Sequence, residues 1–406
     1  MNASPRTSRR QLALLAAVVP LALVVAVSSA APPQSAAPAK PGFGPHVRIF
    51  DPSMAPAEIQ AQIDAVFAEQ SGSEFGTGRY ALLFMPGSYP VDVPVGYYTQ
   101  VVGLGASPDR VEIAGHLKAG PVKGDRALVT FWRSAEGLSV RPPSGVMQWA
   151  VSQAAPLRRM HVRGDLVLHQ NSGYASGGWM SDTVVDGTVS SGPQQQWISR
   201  NTEWAAWRGA NWNMVFVGAV NAPAGAWPEA AVTRIDKTPL VREKPFLMID
   251  VRERWVVRAP ALQADTSGVS WRTGLTPGRY IPLRRFYLAR PDVDTAATIN
   301  AQLAKGRHLI FTPGIYRLKE TITVTRPGTV VMGLGFPTLA AEGGVAAMST
   351  ADVDGIVISG LFFDAGPLKV PVLLEVGPPN SRARHALNPA SLHDVCLLYT
   401  SDAADE

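Results

Sequence analysis

The stretch that decides the fold is Ala81-Leu82-Leu83-Phe84-Met85-Pro86-Gly87-Ser88-Tyr89, and its pattern returns at His308-Leu309-Ile310-Phe311-Thr312-Pro313-Gly314-Ile315-Tyr316. Each copy is an apolar, strand-sized run that ends at Pro-Gly, where proline fixes φ and glycine tolerates a positive φ. A Gly-Leu-Gly follows each copy, at residues 103–105 and 333–335. Because these landmarks recur in the same order over two hundred residues apart, they predict two structural units of one kind.

A short amphipathic helix is predicted before each copy. Asp51 and Ser53 offer N-cap oxygens to the first helix, and the stretch 292–295 offers them to the second. The apolar stripes that follow are Ile59, Ile63, Val66 and Phe67 in the first copy and Ile299 and Leu303 in the second. We expect each helix to cover the open end of a stack of strands, where unpaired strand edges would otherwise be exposed.

A helix, a strand, Pro-Gly-x-Tyr and a run of short strands resemble the opening of a right-handed parallel β-helix of the pectate-lyase-like (pectin-lyase-like) superfamily. Two such openings in one chain resemble glycoside hydrolase family 55, the β-1,3-glucanases built from tandem β-helices lying side by side. The resemblance covers residues 50 to about 394. It implies an all-β fold of tandem right-handed parallel β-helices, each opened by a short capping helix, with the second one truncated.

The expected organisation is a first β-helix at residues 46–220, a connecting segment at 221–290 and the start of a second β-helix at 291–395. Residues 246–251 and 255–257 of the connecting segment are predicted to be paired strands. The first β-helix is predicted to contain strand-sized pieces, separated by turn residues, at 110–113, 127–131, 138–141, 160–163, 166–169, 183–189, 196–199 and 214–217.

Residues 1–30 have the pattern of a twin-arginine signal peptide. Arg9 and Arg10 precede an apolar run at residues 12–27, and small residues at 28–30 suit cleavage before Ala31. An uncleaved membrane anchor is the alternative, but the run is short for a span and Pro20 interrupts it. Residues 31–45 are expected to be a Pro/Ala-rich leader. We therefore expect a secreted or cell-surface protein with no stable membrane insertion after cleavage.

The segment 396–406 resembles the translation of a sequencing adapter, so we expect it to be an artefact of the gene model. Cys396, the single cysteine, is then spurious, and the natural chain is expected to continue past about residue 395. A β-helix that stops within its stack leaves unpaired edges, so the 406-residue chain is expected to be poorly soluble and to lack hydrolase activity.

The composition favours a β-rich globular protein that works without nucleic acid or metal. Charged residues make up 17% of the chain against 46% hydrophobic ones, and 37 glycines and 34 prolines suit many short strands and turns. The net charge is +5, but no basic run occurs beyond the first ten residues, so nucleic-acid binding is not expected. The seven histidines include no closely spaced pair, and we expect no metal site and no cofactor.

The densest functional candidate is the polar and aromatic stretch 194–213. Sugar rings present apolar faces ringed by hydroxyls, so a site that binds them needs aromatic platforms beside amides, guanidinium groups and carboxylates. The predicted substrate-binding residues are Trp197, Arg200, Asn201, Trp204 and Trp212. The alternative is that Trp197, Asn201 and Trp212 form structural ladders inside the coils.

The candidate acids are Asp182, Asp186 and Glu203. Asp182 and Asp186 are predicted to share one face of a strand, but four residues separate them by about 13 Å, which is too far for a catalytic pair. Either acid could pair with Glu203 or with an acid on a neighbouring coil.

The family resemblance implies an exported glycoside hydrolase acting on β-1,3-glucan or a related polysaccharide, with one carboxylic acid protonating the glycosidic oxygen and a second group activating water. It also implies that the catalytic acid belongs to a later part of the second β-helix, so no residue here is assigned that role. The first alternative is a non-catalytic glycan-binding scaffold, and the second is a polysaccharide lyase. The expected partner is a polysaccharide, and the oligomeric state stays open.

Overall fold

The computed structural model describes residues 40–398. The predicted signal peptide, most of the predicted leader and residues 399–406 lie outside the described residues. Between residues 40 and 398, no helix is long and apolar enough to cross a membrane.

Short strands build the first half of the described chain. In chain order these are β1 (Val47–Phe50), β2 (Tyr80–Phe84), β3 (Gly87–Tyr89), β4 (Val93–Pro94), β5 (Thr99–Gly103), β6 (Val111–Ile113), β7 (Leu117–Lys118), β8 (Arg133–Glu136), β9 (Ser139–Val140), β10 (Val146–Gln148), β11 (Leu157–Arg158), β12 (His161–Val162), β13 (Asp165–Val167), β14 (Trp179–Ser181), β15 (Val184–Ser190), β16 (Gln196–Arg200), β17 (Glu203–Arg208), β18 (Asn213–Val217) and β19 (Val232–Ile235).

These strands stack in parallel as the coils of a β-helix. One side is a nine-stranded sheet in the order β1-β2-β5-β8-β11-β14-β16-β18-β19, which we call the long sheet. A second side is an eight-stranded sheet that contains β10-β13-β15-β12-β9-β6-β3, with β17 paired to β15. Within these two sheets, the strands of one coil pair with those of the coils before and after it.

Antiparallel strands connect this stack to the next one. The connecting strands are β20 (Thr238–Val241), β21 (Phe246–Ile249), β22 (Trp255–Pro260), β23 (Gln263–Thr266) and β24 (Gly278–Pro282). The predicted pairing of the stretch 246–251 with 255–257 is confirmed, because β21 pairs with β22 in antiparallel orientation.

The second stack contains β25 (Phe286–Ala289), β26 (His308–Phe311), β27 (Ile315–Leu318), β28 (Ile322–Val324), β29 (Val330–Gly333), β30 (Thr338–Ala341), β31 (Met348–Thr350), β32 (Val357–Ser359), β33 (Phe362–Ala365), β34 (Leu374–Val376), β35 (Ser391–His393) and β36 (Cys396–Leu398). They form three parallel sheets of five, four and three strands, which are the three sides of a β-helix. The predicted fold of tandem parallel β-helices is confirmed.

A helix opens each β-helix, as predicted. The first, α1 (Pro56–Gln70), begins with proline at its first position and has Ala55 as N-cap without a side-chain hydrogen bond. The prediction that Asp51 or Ser53 caps it was wrong, because the Asp51 carboxylate instead accepts hydrogen bonds from the backbone N–H and Oγ of Ser53.

The second helix, α2 (Ala296–Ala304), begins with the predicted kind of cap. Thr295 Oγ1 accepts a hydrogen bond from the N–H of Thr298, whose side chain accepts one from the N–H of Thr295. Ile299 and Leu303 are buried, so this helix packs its apolar stripe on the first coil.

The repeated Pro-Gly-x-Tyr has one geometry in both copies. Gly87 has φ +153° and Gly314 has φ +149°, a region that residues with a Cβ rarely adopt. The buried hydroxyl of Tyr89 donates to the carbonyls of Phe50 and Met85, and that of Tyr316 donates to the carbonyls of Ala289 and Thr312. Each tyrosine therefore ties the turn to the strand before it, which is why the motif recurs.

Gly103 and Gly333 allow adjacent coils to approach closely. A Cβ on Gly103 would lie 2.2 Å from the carbonyl oxygen of Gly137, and one on Gly333 would lie 2.1 Å from that of Gly360. The repeated Gly-Leu-Gly therefore marks contacts between coils.

The strand predicted at residues 127–131 was wrong. This stretch contains a turn, and the N–H of Ala127 donates to the carbonyl of Tyr174 instead of pairing with a neighbouring strand of a sheet. The parallel sheets run past both expected ends of the connecting segment, since β19 pairs with β18 and β25 pairs with β26. The domain limits themselves stay predictions.

Alternate residues of the long sheet face two different cores. Leu82, Phe84 and Leu157 point into the first β-helix. Ala81 and Leu83 face outward and pack with Ile310 and Met332 of the second β-helix. The described residues of both β-helices belong to one compact unit. The outer face of the long sheet is therefore an interface within the protein.

Candidate functional site

The outer face of the long sheet changes from apolar to charged along one row of neighbouring side chains. The row runs, strand by strand, through Leu83, Val102, Glu136, Arg158, Ser181 and Arg200. Because strands lie about 4.8 Å apart, each of these side chains neighbours the next.

Lys244 and Glu243, from the connecting segment, and Asp394, from the second β-helix, neutralise the charged part of this row. Lys244 Nζ donates to Glu136 Oε2 at 2.8 Å and lies 3.1 Å from Asp394 Oδ2. Arg158 Nη2 donates to Asp394 Oδ1 at 2.6 Å, and Arg200 pairs with Glu243. These side chains are at most 15% exposed, so the ion pairs are buried between the two β-helices.

The buried network fixes the charge of Asp394. Burial alone would raise the pKa of this carboxyl, but Arg158 and Lys244 hold the pKa well below its usual range. Burial alone would lower the pKa of Lys244, but Glu136 and Asp394 raise it. Asp394 therefore stays ionised and cannot serve as a proton donor.

A cleft with a cavity of about 490 Å³ lies beside this network, between the long sheet and the second β-helix. Its aromatic lining residues are Trp179, Trp197, Phe336 and Phe362, its amides are Gln153, Gln196 and Asn213, and its charged residues are Arg158 and Asp394. The volume is within the range of small-ligand sites, and the lining is mostly apolar with a few polar groups that could orient a ligand.

Trp179 is the partly exposed aromatic residue of this cleft, whereas Trp197 is buried. The Trp179 ring lies against two guanidinium groups, with Cζ of Arg158 at 5.3 Å and Cζ of Arg200 at 5.5 Å from the ring centroid. The indole nitrogens of Trp179 and Trp197 are both buried and have no hydrogen-bond partner among the described residues. Both nitrogens have almost no solvent-accessible surface, so they are not placed to donate to a ligand in the cavity.

The structure brings Trp197 and Arg200 to the cleft or its edge. Trp197 lines the cavity, but its ring also lies in the core of the first β-helix, under Gly178. Arg200 lies beside Trp179 and is held by Glu243.

Asn201 and Trp204 lie elsewhere and have structural partners. Asn201 Nδ2 donates to Thr266 Oγ1 at 2.8 Å, so its side chain binds the connecting segment. Trp204 Nε1 donates to the carbonyl of Asn221 at 2.9 Å, and its buried ring packs on Trp207 and Phe216. Trp212 is 58% exposed and directly precedes Asn213 of the cleft. The assignment of these residues to substrate binding stays a prediction.

The prediction that Asp182 and Asp186 share one strand face was wrong. Asp182 precedes β15 in a left-handed turn with φ +51°, and its carboxylate accepts hydrogen bonds from the N–H and Oγ of Ser270. Burial and Glu243 raise the pKa of Asp182 to about 7. Asp186 instead lies 2.9 Å from Nε2 of His161 and is about half exposed.

Glu203 contacts the same loop of the connecting segment as Asp182 does. It accepts a hydrogen bond from the N–H of Val269 and pairs with Arg272 at 2.9 Å. Asp182 and Glu203 therefore hold the connecting segment against the first β-helix. A catalytic role for these three acids stays a prediction.

The sequence reasoning missed Trp179, Phe336, Phe362 and Asp394 as cleft residues. Trp179 could have been proposed from the sequence, because it follows two glycines at the start of a strand. In the structure it pairs with Ile198 on the next coil. The other three come from the second β-helix, and no local pattern shows which coil of the first they face.

The cleft as described is suited to binding more than to acid catalysis. Among its described lining residues, Asp394 is the only carboxylate. Within residues 40–398, no group of three or more His, Cys, Asp or Glu side chains is placed to hold a metal ion.

Comparisons with known proteins bear on both the fold and the family. The LAM55 pectate lyase-like domain family matches residues 286–404, which includes most of the segment 396–406 whose origin stays a prediction. An exo-β-1,3-glucanase of Streptomyces sp. (strain SirexAA-E / ActE) is 42% identical over 406 aligned residues, covering 97% of this chain and 66% of the relative.

Solved structures agree with this match. The structure of sacteLam55A from Streptomyces sp. SirexAA-E has a TM-score of 0.84 and 42% identity, covering 89% of this chain and 65% of that one. A variant of sacteLam55A in complex with glucose has a TM-score of 0.84 and 43% identity, covering 90% and 66% of the two chains. This chain thus spans about 66% of the length of its glucanase relative. The chain is therefore a homologue of the Lam55 exo-β-1,3-glucanases of glycoside hydrolase family 55, with a Lam55 pectate lyase-like domain in its second β-helix.

Proposed function

We propose that this chain is the part of an exo-β-1,3-glucanase that binds the glucan, and that the sugar occupies the cleft beside the long sheet. The observation that carries the proposal is the cavity of about 490 Å³, with its aromatic walls and its row of amides. The relative with 42% identity is named an exo-β-1,3-glucanase, and a variant of the solved homologue is in complex with glucose.

The chemistry of the cleft supports a neutral sugar as the ligand. Trp179 offers a partly exposed flat apolar surface for the face of a pyranose ring, and the buried rings of Phe336 and Phe362 back the cleft wall. Gln153, Gln196 and Asn213 offer both donors and acceptors to hydroxyl groups. The charged pair Arg158–Asp394 is internally neutralised, so the cleft has no free charge that would favour an ionic ligand.

Hydrolysis also needs a proton donor and a group that activates water. Asp394 cannot be the donor because Arg158 and Lys244 keep it ionised. We therefore assign binding to the described cleft residues and the proton donor to a carboxylic acid outside this lining. The same observation favours the second candidate function, a non-catalytic glycan-binding scaffold.

Titration of the purified chain with laminari-oligosaccharides, followed by tryptophan fluorescence, tests the proposed binding. We expect Trp179→Ala to weaken binding about tenfold, since removing a well-packed aromatic anchor typically costs more than 1 kcal/mol. Tyr280→Ala is the matched control, because Tyr280 is an exposed aromatic residue in the connecting segment. Binding of cello-oligosaccharides as tight as that of laminari-oligosaccharides would contradict the substrate class.

Glucose release from laminarin separates the two candidate functions. Because the proposal places the proton donor outside the cleft lining, release is measured with the complete gene product. Release by that protein supports the glucanase, binding without release supports the scaffold, and neither binding nor release refutes both.

We also propose that the protein is exported by the twin-arginine route, on the evidence of the sequence at residues 1–30 alone. A reporter fused to residues 1–45 should leave the cytoplasm, and replacing Arg9 and Arg10 by lysine should retain it. Export that survives this replacement would exclude the twin-arginine route.

A further inference from the structure

Two tryptophans near the cleft have most of their surface in water. Trp212 is 58% exposed and Trp227 is 60% exposed. A large aromatic side chain in water lacks the burial that normally stabilises it, so two of them close to a cleft point to a binding surface.

Backbone pairing places Trp212 at the edge of the cleft. Its N–H donates to the carbonyl of Gln195 at 2.9 Å, and the next residue, Asn213, pairs with Gln196. Asn213 and Gln196 both line the cleft. Trp212 therefore lies directly before β18, one residue from the amides of Asn213 and Gln196.

Trp227 occupies the corresponding end of the following strand. Its N–H donates to the carbonyl of Val232 at 2.7 Å, and Val232 pairs with Met214. Trp179 pairs with Ile198 of β16 and Gln196 pairs with Asn213 of β18, so Trp212 and Trp227 belong to the coils of β18 and β19, which follow those of Trp179 and Gln196.

Polar side chains lie on the same two coils as the exposed tryptophans. Thr233 Oγ1 donates to Asn213 Oδ1 at 3.1 Å, and Asn211 lies exposed beside Trp212. Aromatic faces alternating with amides and hydroxyls are the surface that a polysaccharide chain requires, because each sugar has apolar faces and a polar rim.

We infer that Trp212 and Trp227 extend the cleft into an open path that holds the glucan chain beyond the units bound in the cavity. The inference rests on the proposed function and adds to it a preference for long chains. The path continues the cleft along successive coils, so its occupant is the same molecule. Each exposed ring gains contact only with a glucan long enough to reach it.

The test compares a short and a long ligand on the full chain. Laminaritriose and polymeric laminarin are titrated into the wild type, Trp212→Ala, Trp227→Ala, the double variant and Tyr280→Ala as control. We expect each single variant to bind laminarin about threefold to tenfold more weakly and laminaritriose within twofold of the wild type. The double variant should lose the preference for laminarin, while Tyr280→Ala should keep it.

Each outcome decides between the two ideas. Equal affinity of the wild type and the double variant for laminarin overturns the inference but leaves the proposed function intact. Parallel loss for both ligands also overturns it, because the rings would then act through the cavity. No binding of either ligand by the wild type overturns the proposed function as well. Trp227→Tyr should bind laminarin more tightly than Trp227→Ala does. A change of self-association in the double variant without a change in glucan affinity would identify the surface as a contact between copies of the chain.

Discussion

Lys244 is a buried residue whose replacement should destabilise the described fold. Its ammonium group is shared by Glu136 and Asp394, and its side chain is only 7% exposed. Lys244→Met keeps most of the side-chain volume but removes the charge. The carboxylates of Glu136 and Asp394 would then remain buried with one cationic partner fewer. A buried charge that has lost its partner destabilises the folded state.

The expected magnitude follows from the partners that stay in place. Removing one member of a buried pair typically costs about 3–5 kcal/mol. Asp394 would keep Arg158, which donates from Nε and Nη2, and Glu136 would keep Gln100 Nε2 at 2.7 Å. We therefore expect a loss near the lower end, about 3 kcal/mol in the free energy of unfolding.

Urea denaturation of the wild type, Lys244→Met and the double variant Lys244→Met/Glu136→Gln measures this effect. The double variant removes one of the stranded carboxylates, so it should recover part of the loss. Lys237→Met, at an exposed position, should change stability by less than about 0.5 kcal/mol. If Lys244→Met is as stable as Lys237→Met, the network does not stabilise the contact between the β-helices.

Two further substitutions test separate features. Burial, with repulsion from Arg279 and Arg285, lowers the pKa of His308 to about 4. The neutral imidazole therefore makes its full contribution to the free energy of unfolding above the unfolded-state pKa of about 6.5, and this contribution is lost as the pH falls toward 4. In His308→Asn the amide can still accept the hydrogen bond from the N–H of Val330. This variant should lose about 2 kcal/mol less stability than the wild type between pH 7 and pH 4.5, measured by urea denaturation at both pH values. An unchanged pH dependence would contradict this prediction. Gly103→Ala should cost about 1–3 kcal/mol by forcing two coils apart, whereas Gly42→Ala, with no atom within 4 Å, should cost almost nothing; equal thermal unfolding temperatures for the two would refute the close approach.

The repeated motifs predicted the architecture because their chemistry is local. Pro86-Gly87 and Tyr89 determine a turn and its hydrogen bonds within a few residues of sequence, and the second copy repeats the geometry. The twofold recurrence then implies two units without any knowledge of their contacts. The cap of α1 was predicted wrongly because Asp51 and Ser53 satisfied each other in a tighter turn.

The site could be predicted only in part because it depends on coil-to-coil register. Trp197 is a cleft residue and Trp204 is not, although both belong to the same aromatic stretch. The cavity exists only where Phe336, Phe362 and Asp394 of the second β-helix face Trp179. Nothing in the order of residues states that Arg158 meets Asp394, since that contact follows from how two solenoids pack.

The charged row on the long sheet has a consequence for biosynthesis. Arg158 precedes its partner Asp394 by 236 residues, and Glu136 precedes Lys244 by 108. A ribosome adds about 5–20 residues per second, so Arg158 would wait roughly 10–50 s for Asp394 to emerge. During that time an apolar row would invite aggregation, whereas Glu136, Arg158 and Arg200 can stay hydrated. We therefore expect the side chains that later form the buried ion pairs to reduce aggregation of the growing first β-helix until its neighbour has been made.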